Sequence, residues 1–313
     1  VNDFDGNGFL DVYIANDYFI PDFMYLNNGD GTFIDKTENK LGHTSYFAMG
    51  CDAADFNNDG FKDLYVTNGD YRSILDKDMR KMFIKVLDNS NPNKHKEYVK
   101  ELERRLKPQK NRNVLFKNNG NYTFDNVAQK AGCDEDGFSS GAAYADLDND
   151  GDLDLVVNNI DRKASVLKNM QRETAKGNFI QLELNYKNNI PSVGAKVELS
   201  TCSNSQYYES TYSRGYQSSY TGPIHIGIGD CKQIELIKII WPDGKTQICK
   251  NIKINKKSTV NYNPTNQDPD VGMSQLIEDS TKFKFATPHL HRENQFDDYK
   301  FLTVSINYKP IQL

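Results

Sequence analysis

Three short segments of this chain carry oxygen-bearing side chains at one fixed spacing. They are Asp3-Phe-Asp-Gly-Asn-Gly-Phe-Leu-Asp11, Asp55-Phe-Asn-Asn-Asp-Gly-Phe-Lys-Asp63 and Asp146-Leu-Asp-Asn-Asp-Gly-Asp-Leu-Asp154. In such a loop the side chains at positions 1, 3, 5 and 9 turn toward one point, and the carbonyl of position 7 joins them. A donor set made only of oxygens selects a hard cation, here calcium. The predicted ligands of the first loop are Asp3, Asp5, Asn7, the Phe9 carbonyl and Asp11. Those of the second are Asp55, Asn57, Asp59, the Phe61 carbonyl and Asp63, and those of the third Asp146, Asp148, Asp150, the Asp152 carbonyl and Asp154. Glycine at position 6 takes the sharp turn at no steric cost. The third loop offers four carboxylates against three in the others, so it is expected to bind tightest. An EF-hand needs a bidentate Glu at position 12, where this chain has Ile14, Val66 and Val157. A metal-free acidic turn is the plainer reading, and three copies in register argue against it. Without a cation, the crowded carboxylates would repel one another.

Other chemistry finds little support. His-Glu-x-x-His and the full phosphate loop Gly-x-x-x-x-Gly-Lys-[Ser/Thr] are absent. The abundant aspartates are already used by the three loops, so they do not add up to an acid–base pair. His289 and His291 have a spacing that metal sites share with ordinary surface turns. His225 lies in a strand-like run and is expected to pack or cap. Arg214 suits either an anionic ligand or a structural hydrogen bond. No set of residues with mutual catalytic roles emerges, and the chain is expected to be non-enzymatic.

The elements around the loops are strands. Val12-Tyr-Ile-Ala-Asn16, Leu64-Tyr-Val-Thr-Asn68 and Leu155-Val-Val-Asn158 follow the three loops, and small-residue runs (Cys51-Asp-Ala-Ala54, Gly141-Ala-Ala-Tyr-Ala145) precede the second and third. Small residues suit a strand at a crowded axis. A second unit recurs downstream: Tyr25-Leu-Asn-Asn-Gly-Asp-Gly-Thr-Phe33 matches Phe116-Lys-Asn-Asn-Gly-Asn-Tyr-Thr-Phe124. Asn-Gly between apolar flanks is a hairpin signal. Each repeat thus holds one hairpin closed by an acidic loop and one closed by an Asn-Gly turn, the four strands of a propeller blade. Val166-Leu-Lys-Asn169 starts a third copy, but Met170 breaks it.

Residues 72–112 are surplus to the repeat. Ile74, Leu75, Met79, Met82, Phe83 and Val86 follow helical spacing, as do Tyr98, Leu102 and Leu106, with Pro92 between the groups and Pro108 after them. This predicts a helical hairpin set on the second blade. From 177 to 262 the pattern becomes strand alternation over Phe179–Leu184, Gly194–Leu199, Ile224–Ile228 and Ile234–Ile239, with a turn at Trp241-Pro-Asp-Gly244. A separate β-sandwich-like domain is expected there. Residues 263–313 read as a linker and the start of a further, truncated region. A strand should precede Asp3, so the chain reads as a fragment, with any signal peptide upstream of it. The fold class is therefore all-β: partial propeller blades over 1–172, a helical insertion, then a β-sandwich-like domain.

Length and charge agree with that reading. The 313 residues suffice for two domains, and 18 Tyr and 17 Phe argue against disorder. Net charge is −5, with no basic stripe for nucleic acid. Three bound divalent ions would turn −5 into +1. No apolar run is long enough to cross a bilayer. Among the five cysteines, Cys202, Cys231 and Cys249 share the second domain, leaving room for one disulfide with its pairing open.

These motifs resemble the FG-GAP/VCBS-type repeats of integrin-like β-propellers. Residues 177–262 resemble the ASPIC/UnbV domain through Val193-Gly-Ala-Lys-Val197, Arg214-Gly-Tyr-Gln-Ser218, His225-Ile-Gly-Ile-Gly229 and Trp241-Pro-Asp-Gly244. The order of the two resembles the cartilage-acidic-protein-like family, which includes large bacterial secreted or surface proteins. His291-Arg-Glu-Asn294 through Asp297-Asp-Tyr299 looks like the lead into more repeats. The resemblance implies an extracellular or cell-envelope setting and a binding or adhesion role braced by up to three calcium ions. The partner would be a glycan, a protein or other domains of the parent chain. The alternatives are part of a secreted polysaccharide-acting enzyme and a structural spacer. Exposed tyrosines among Tyr207, Tyr208, Tyr212, Tyr216 and Tyr220 would favour a binder over a spacer.

Overall fold

The computed structural model describes residues 1–17, 20–45, 47–69, 81, 84–85, 91–105, 110–121, 123–160, 162–174, 177–234, 236–264 and 307–311. The first sheet is antiparallel and runs through β1 (Val12–Ile14), β2 (Phe23–Asn27) and β3 (Phe33–Asp35). The first acidic loop precedes β1, and a single bridge, Asn2 to Asp11, closes it. The second sheet is a full four-stranded blade of β4 (Ala48–Ala54), β5 (Asp63–Asn68), β7 (Val114–Asn118) and β8 (Phe124–Asn126). Between β5 and β7 lies β6 (Asn111–Arg112), which pairs with β9 (Asp136–Gly137). The third sheet orders β10 (Ser139–Ala145), β11 (Asp154–Asn159) and β12 (Ser165–Asn169), and β20 (Asn307–Ile311) lies parallel beside β12.

The two hairpin types fall where the repeats predict them. The second acidic loop joins β4 to β5 and the third joins β10 to β11. Asn-Gly turns join β2 to β3 and β7 to β8. After β12 the chain instead forms a short helix, Gln171–Thr174, where Met170 breaks the repeat. Blades pack face to face, each joint with its own apolar core. Met24, Leu26, Leu64, Val66 and Phe116 fill the first joint. Phe56, Tyr65, Leu115, Leu155 and Val157 fill the second.

Strands β4 and β10 run side by side, and their small residues permit it. Thr67 Oγ1 donates to the Ser140 carbonyl at 2.6 Å, and a Cβ on Gly50 would sit 2.8 Å from that same oxygen. Only glycine allows so close a backbone approach.

Of the predicted helical hairpin, the second helix is present as Pro92–Arg105, with Pro92 as its first residue, where its missing N–H costs nothing. Tyr98 is half-buried, and most of the other described side chains of the helix are exposed. The first helix, over Ile74, Leu75, Met79, Met82, Phe83 and Val86, lies outside the described residues. So do Leu106, Pro108, the pair His289 and His291, and most of 263–313.

The second unit packs two sheets around one core. One contains β13 (Asn178–Asn185), β16 (Ile224–Gly229) and β19 (Lys256–Asn261); the other contains β14 (Lys196–Ser200), β15 (Ser205–Glu209), β17 (Leu236–Ile240) and β18 (Thr246–Cys249). Alternate residues of these strands, among them Ile180, Leu182, Val197, Leu199, Ile226 and Ile239, meet in the interior. Trp241 is 1% exposed, and its indole N–H donates to Gln247 Oε1 at 3.0 Å. The Trp241–Gly244 turn closes with a hydrogen bond from Gly244 N to the Trp241 carbonyl, and Gly244 takes φ 79°.

Cys202 and Cys231 form a disulfide with their Cα atoms 5.8 Å apart, and Cys249 is free. This bond closes 29 residues of chain, and removing it should cost about 3 kcal/mol through the freedom returned to the unfolded state. The double variant Cys202→Ser/Cys231→Ser is expected to melt lower than wild type and to lose all response to reductant. Equal melting temperatures would contradict that account.

Candidate functional site

The three acidic loops share one backbone design. Positions 4 and 6 take left-handed φ in every copy: Gly6 72°, Asn58 58° and Asn149 61°, then Gly8 91°, Gly60 95° and Gly151 97°. Asn is the side-chain residue that best tolerates that region, which explains why it replaces glycine at position 4 and not at the more extreme position 6. The position 1 carboxylate caps the turn. Asp3 accepts from Gly6 N (2.8 Å) and Gly8 N (3.1 Å). Asp55 accepts from Asp59 N (3.1 Å) and Gly60 N (2.7 Å). Asp146 accepts from Asp150 N (3.1 Å) and Gly151 N (3.2 Å).

The position 9 carboxylate joins the two hairpins of a blade. One oxygen of Asp11, Asp63 or Asp154 accepts from the position 2 N–H of its own loop: Phe4 at 2.8 Å, Phe56 at 3.1 Å and Leu147 at 3.1 Å. The other accepts from the last strand residue before the turn: Asn27 at 2.8 Å, Asn118 at 2.9 Å and Asn169 at 2.8 Å. Asn27 Nδ2 donates to the Leu10 carbonyl of its own loop (3.1 Å), while the other two reach across blades. Asn118 Nδ2 donates to the Phe4 carbonyl of the first loop (2.9 Å), and Asn169 Nδ2 to the Phe56 carbonyl of the second (2.7 Å). The repeat pattern alone assigns no such role to Asn27, Asn118 or Asn169. Their signal was their recurrence at Asn169, where the turn itself is lost.

Position 7 follows the next hairpin. The Phe9 and Phe61 rings cover Gly29 and Gly120 of the Asn-Gly turns, where a Cβ would meet ring carbons. In the third loop that turn is replaced by a helix, and Asp152 Oδ2 instead accepts from the Arg172 N–H at 3.0 Å.

The predicted ligands converge to different degrees. Oxygens of Asp3, Asp5 and Asp11 lie within 4.8 Å of one another, as do those of Asp146, Asp148 and Asp150. A second group, Asp150, Asp152 and Glu173, adjoins the latter. Asp154 stands outside these groups, held by its two backbone bonds. In the second loop Asn57 Nδ2 donates to Asp59 Oδ2 at 2.8 Å, and no three-carboxylate group forms there among the described residues. Burial pushes Asp11 and Asp154 up to about 6 and Asp152 to about 8, with neighbouring aspartates adding to the rise. Burial also drives Asp55 and Asp63 well above the usual carboxylate range. Burial works the same way on Asp148, but the Lys168 ammonium holds it below its ordinary value. Lys168 Nζ lies 2.6 Å from Asp148, 3.2 Å from Glu173 and 3.6 Å from Asp150. Asp150 Oδ2 and Asp152 Oδ1 are buried and accept no hydrogen bond. An all-oxygen donor set with unsatisfied buried carboxylate oxygens fits a hard divalent cation.

All three loops face the sandwich. The Tyr207 ring would lie 3.0 Å from a Cβ on Gly8 of the first loop. Asn204 Nδ2 donates to the Gly60 carbonyl of the second (3.1 Å), and Gly229 N to the Asn58 carbonyl (2.8 Å). Gly227 lies so close to Asp55 Oδ2 that a methyl group would overlap it. At the third loop the Phe179 ring covers Gly151, and Gln181 Nε2 donates to Asp146 Oδ2 at 2.6 Å. His225 joins the second and third loops. Its Nε2–H donates to Asn58 Oδ1 (2.7 Å), its Nδ1 accepts from Gln181 Nε2 (3.5 Å), and its ring stacks on Phe179. Asn58 Nδ2 completes the path by donating to the Gly151 carbonyl at 3.0 Å. Burial without a charged partner lowers His225 to about 3, so it is neutral here. The expectation that His225 packs or caps is met by a residue that does both.

The tyrosine series turns inward. Tyr216 is exposed, while Tyr207, Tyr208, Tyr212 and Tyr220 are half-buried. Among the described residues, no helix is long and apolar enough to cross a membrane.

Comparison with known proteins matches this division of the chain. The FG-GAP-like repeat model matches residues 3–66 and 107–157, a span that contains all three acidic loops. The ASPIC and UnbV model matches residues 185–267, which cover most of the sandwich. Cartilage acidic protein 1 of Xenopus tropicalis is 26% identical over 249 residues, 72% of this chain. The chain spans only 38% of that relative's length. Repeats that carry the acidic loops, with a sandwich docked on those same loops, make this a chain of FG-GAP-like repeats followed by an ASPIC and UnbV domain.

Proposed function

We propose that this chain is a calcium-braced, non-enzymatic binding module that works outside the cell or on its surface. The observation that carries the reading is the convergence of Asp3, Asp5 and Asp11, and of Asp146, Asp148 and Asp150, on single points within loops of one shared geometry. Asp3, Asp5, Asn7, the Phe9 carbonyl and Asp11 would hold the first ion. Asp55, Asn57, Asp59, the Phe61 carbonyl and Asp63 would hold the second, and Asp146, Asp148, Asp150, the Asp152 carbonyl and Asp154 the third. The Lys168 ammonium offsets part of the third loop's extra charge, so its expected lead in affinity is reduced. Loops of this kind can be loose and still fill where calcium is abundant, as it is outside cells. The Cys202–Cys231 disulfide suits the same oxidising setting. The partner is a glycan, a protein or another part of the parent chain. The spacer alternative draws support from the tyrosines, of which Tyr216 alone among the five is exposed.

Calcium titrated by calorimetry into chelator-treated protein is expected to give up to three binding events. The melting temperature should rise with them, since each site filled to 100 times its Kd adds about 2.7 kcal/mol. Heats absent at millimolar calcium, or binding without stabilisation, would overturn the reading.

A further inference from the structure

The second acidic loop leans on the sandwich more than the other two. Its own carboxylates are the least gathered, with Asn57 Nδ2 donating to Asp59 Oδ2 at 2.8 Å and no three-carboxylate group among the described residues. The sandwich grips its backbone at two points. Asn204 Nδ2 donates to the Gly60 carbonyl at 3.1 Å, and Gly229 N donates to the Asn58 carbonyl at 2.8 Å. These are positions 6 and 4 of the loop, on either side of the predicted ligand Asp59. The two grips belong to different sheets. Asn204 lies in the turn between β14 and β15, and Gly229 ends β16. The Cys202–Cys231 disulfide joins the two sheets at this edge. Cys202 is two residues before Asn204, and Cys231 is two residues after Gly229, so the bond is a strut that sets the distance between the grips.

Each arm between sulfur and loop is short and held. Thr201 Oγ1 accepts from Ser203 N (3.2 Å) and Asn204 N (3.1 Å) on one side. On the other, Cys231 N donates to the Ile228 carbonyl (3.2 Å), and the Cys231 carbonyl accepts from Asn178 Nδ2 (3.1 Å). A change at the sulfurs is therefore carried to the loop and not absorbed on the way. Beside the disulfide, Gln206 Nε2 ties the sheets by donating to the Gly227 carbonyl (3.0 Å) and to Asn204 Oδ1 (3.3 Å), so opening the bond loosens the joint without parting it. Cys202 is exposed and Cys231 is 3% exposed, which favours attack at Cys202 Sγ. A thiolate of a dithiol reductant forms a mixed disulfide there and expels Cys231 as a thiolate, which takes up a proton. The second thiol of the reductant then displaces Cys202, which takes up the other proton. The protein gains two thiols as the dithiol becomes a disulfide. Cys51, Cys133 and Cys249 are free, so the reductant has one target.

We propose that the Cys202–Cys231 disulfide is a redox switch on the second calcium site, which binds tighter when the bond is closed than when a dithiol has opened it. The proposal rests on the calcium reading above. The first and third loops are internal controls, because they meet the sandwich through Tyr207 of β15 and through Phe179 and Gln181 of β13. The test is calcium calorimetry on the oxidised protein and again in dithiothreitol. Reduction is expected to weaken one binding event about tenfold and to leave the others unchanged. In Asp59→Asn, which takes a carboxylate from the second loop, no remaining event should respond to dithiothreitol. Cys202→Ser/Cys231→Ser should bind as the reduced protein does, with or without dithiothreitol. Asn204→Ala cuts one grip and keeps the disulfide. It should weaken the same event in the oxidised protein, and it decides the matter if the cysteine variant fails to fold. Equal affinities before and after reduction would overturn this proposal alone. So would a weakening shared by all sites, which would report a general loss of the fold, or an Asn204→Ala protein that binds like wild type. Absence of heat from the oxidised protein would overturn the calcium reading and the switch together.

Discussion

Gly227→Ala is expected to cost about 3 kcal/mol of stability, with a matching fall in melting temperature, because neither side of the contact can yield. The added methyl group would overlap Asp55 Oδ2. Asp55 is held by the Asp59 and Gly60 N–H groups, so its carboxylate does not swing aside without uncapping the second loop. Gly227 is held in turn by the pairing of β16 with β13, opposite Phe179. Either the sandwich lifts off the blades or the loop opens. Gly31→Ala supplies the scale, since Gly31 is left-handed at φ 87° but faces open space. It should show backbone strain alone, about 1 kcal/mol. Thermal unfolding of the two variants side by side checks the argument. A Gly227→Ala protein as stable as the Gly31→Ala protein would mean that the joint is soft.

Calcium binding at the first and third loops should weaken about tenfold between pH 7 and pH 5 and release protons as it occurs. In the first loop Asp11, and in the third Asp154, titrate near 6 because burial and neighbouring carboxylates oppose their charge. Below that pH each is protonated, and calcium must displace the proton. The sign for folding follows from the same shifts. A carboxyl raised in the folded state contributes stability below its unfolded value near 4, and that contribution is lost as pH rises through 6. The metal-free fold therefore weakens over this window while the calcium-bound fold does not. His225 runs the opposite way: lowered to about 3 by burial, it contributes stability above 6.5 that is lost as pH falls. It acts with or without the metal, so it cancels in the difference. The gap in melting temperature between calcium and chelator should widen from pH 5 to pH 7. A constant gap would show that these carboxyls are not ligands.

Much of the fold was legible because its signals are local. The spacing Asp55–Asp63 and the runs after it placed the second hairpin, and Asn28-Gly29 and Asn119-Gly120 placed the turns. Alternation from Phe179 to Leu184 placed β13. What escaped depends on residues far apart in the chain. Gln181 and Asp146 are separated by 35 positions, and His225 and Asn58 by 167. Periodicity says which face a residue takes but not what meets that face. The same limit applies to the disulfide, where Cys202, Cys231 and Cys249 shared a domain and only the sheets could choose among them. It applies to the tyrosines as well. Alternation predicted that some of them point inward, and the docked blades cover others that a lone sandwich would expose.

Contact with all three loops has a mechanical consequence. Two bodies that touch at one point pivot about it, and two that touch at two points still turn about the line between them. The sandwich touches three loops in three successive blades, through Tyr207, through Asn204 and His225, and through Gln181 and Phe179. That third footing removes the last rotation. The sandwich thereby works as a jig that sets the pitch from one blade to the next. A tug on the chain would be shared among the footings, so the joint would behave as a rigid bracket and not as a hinge.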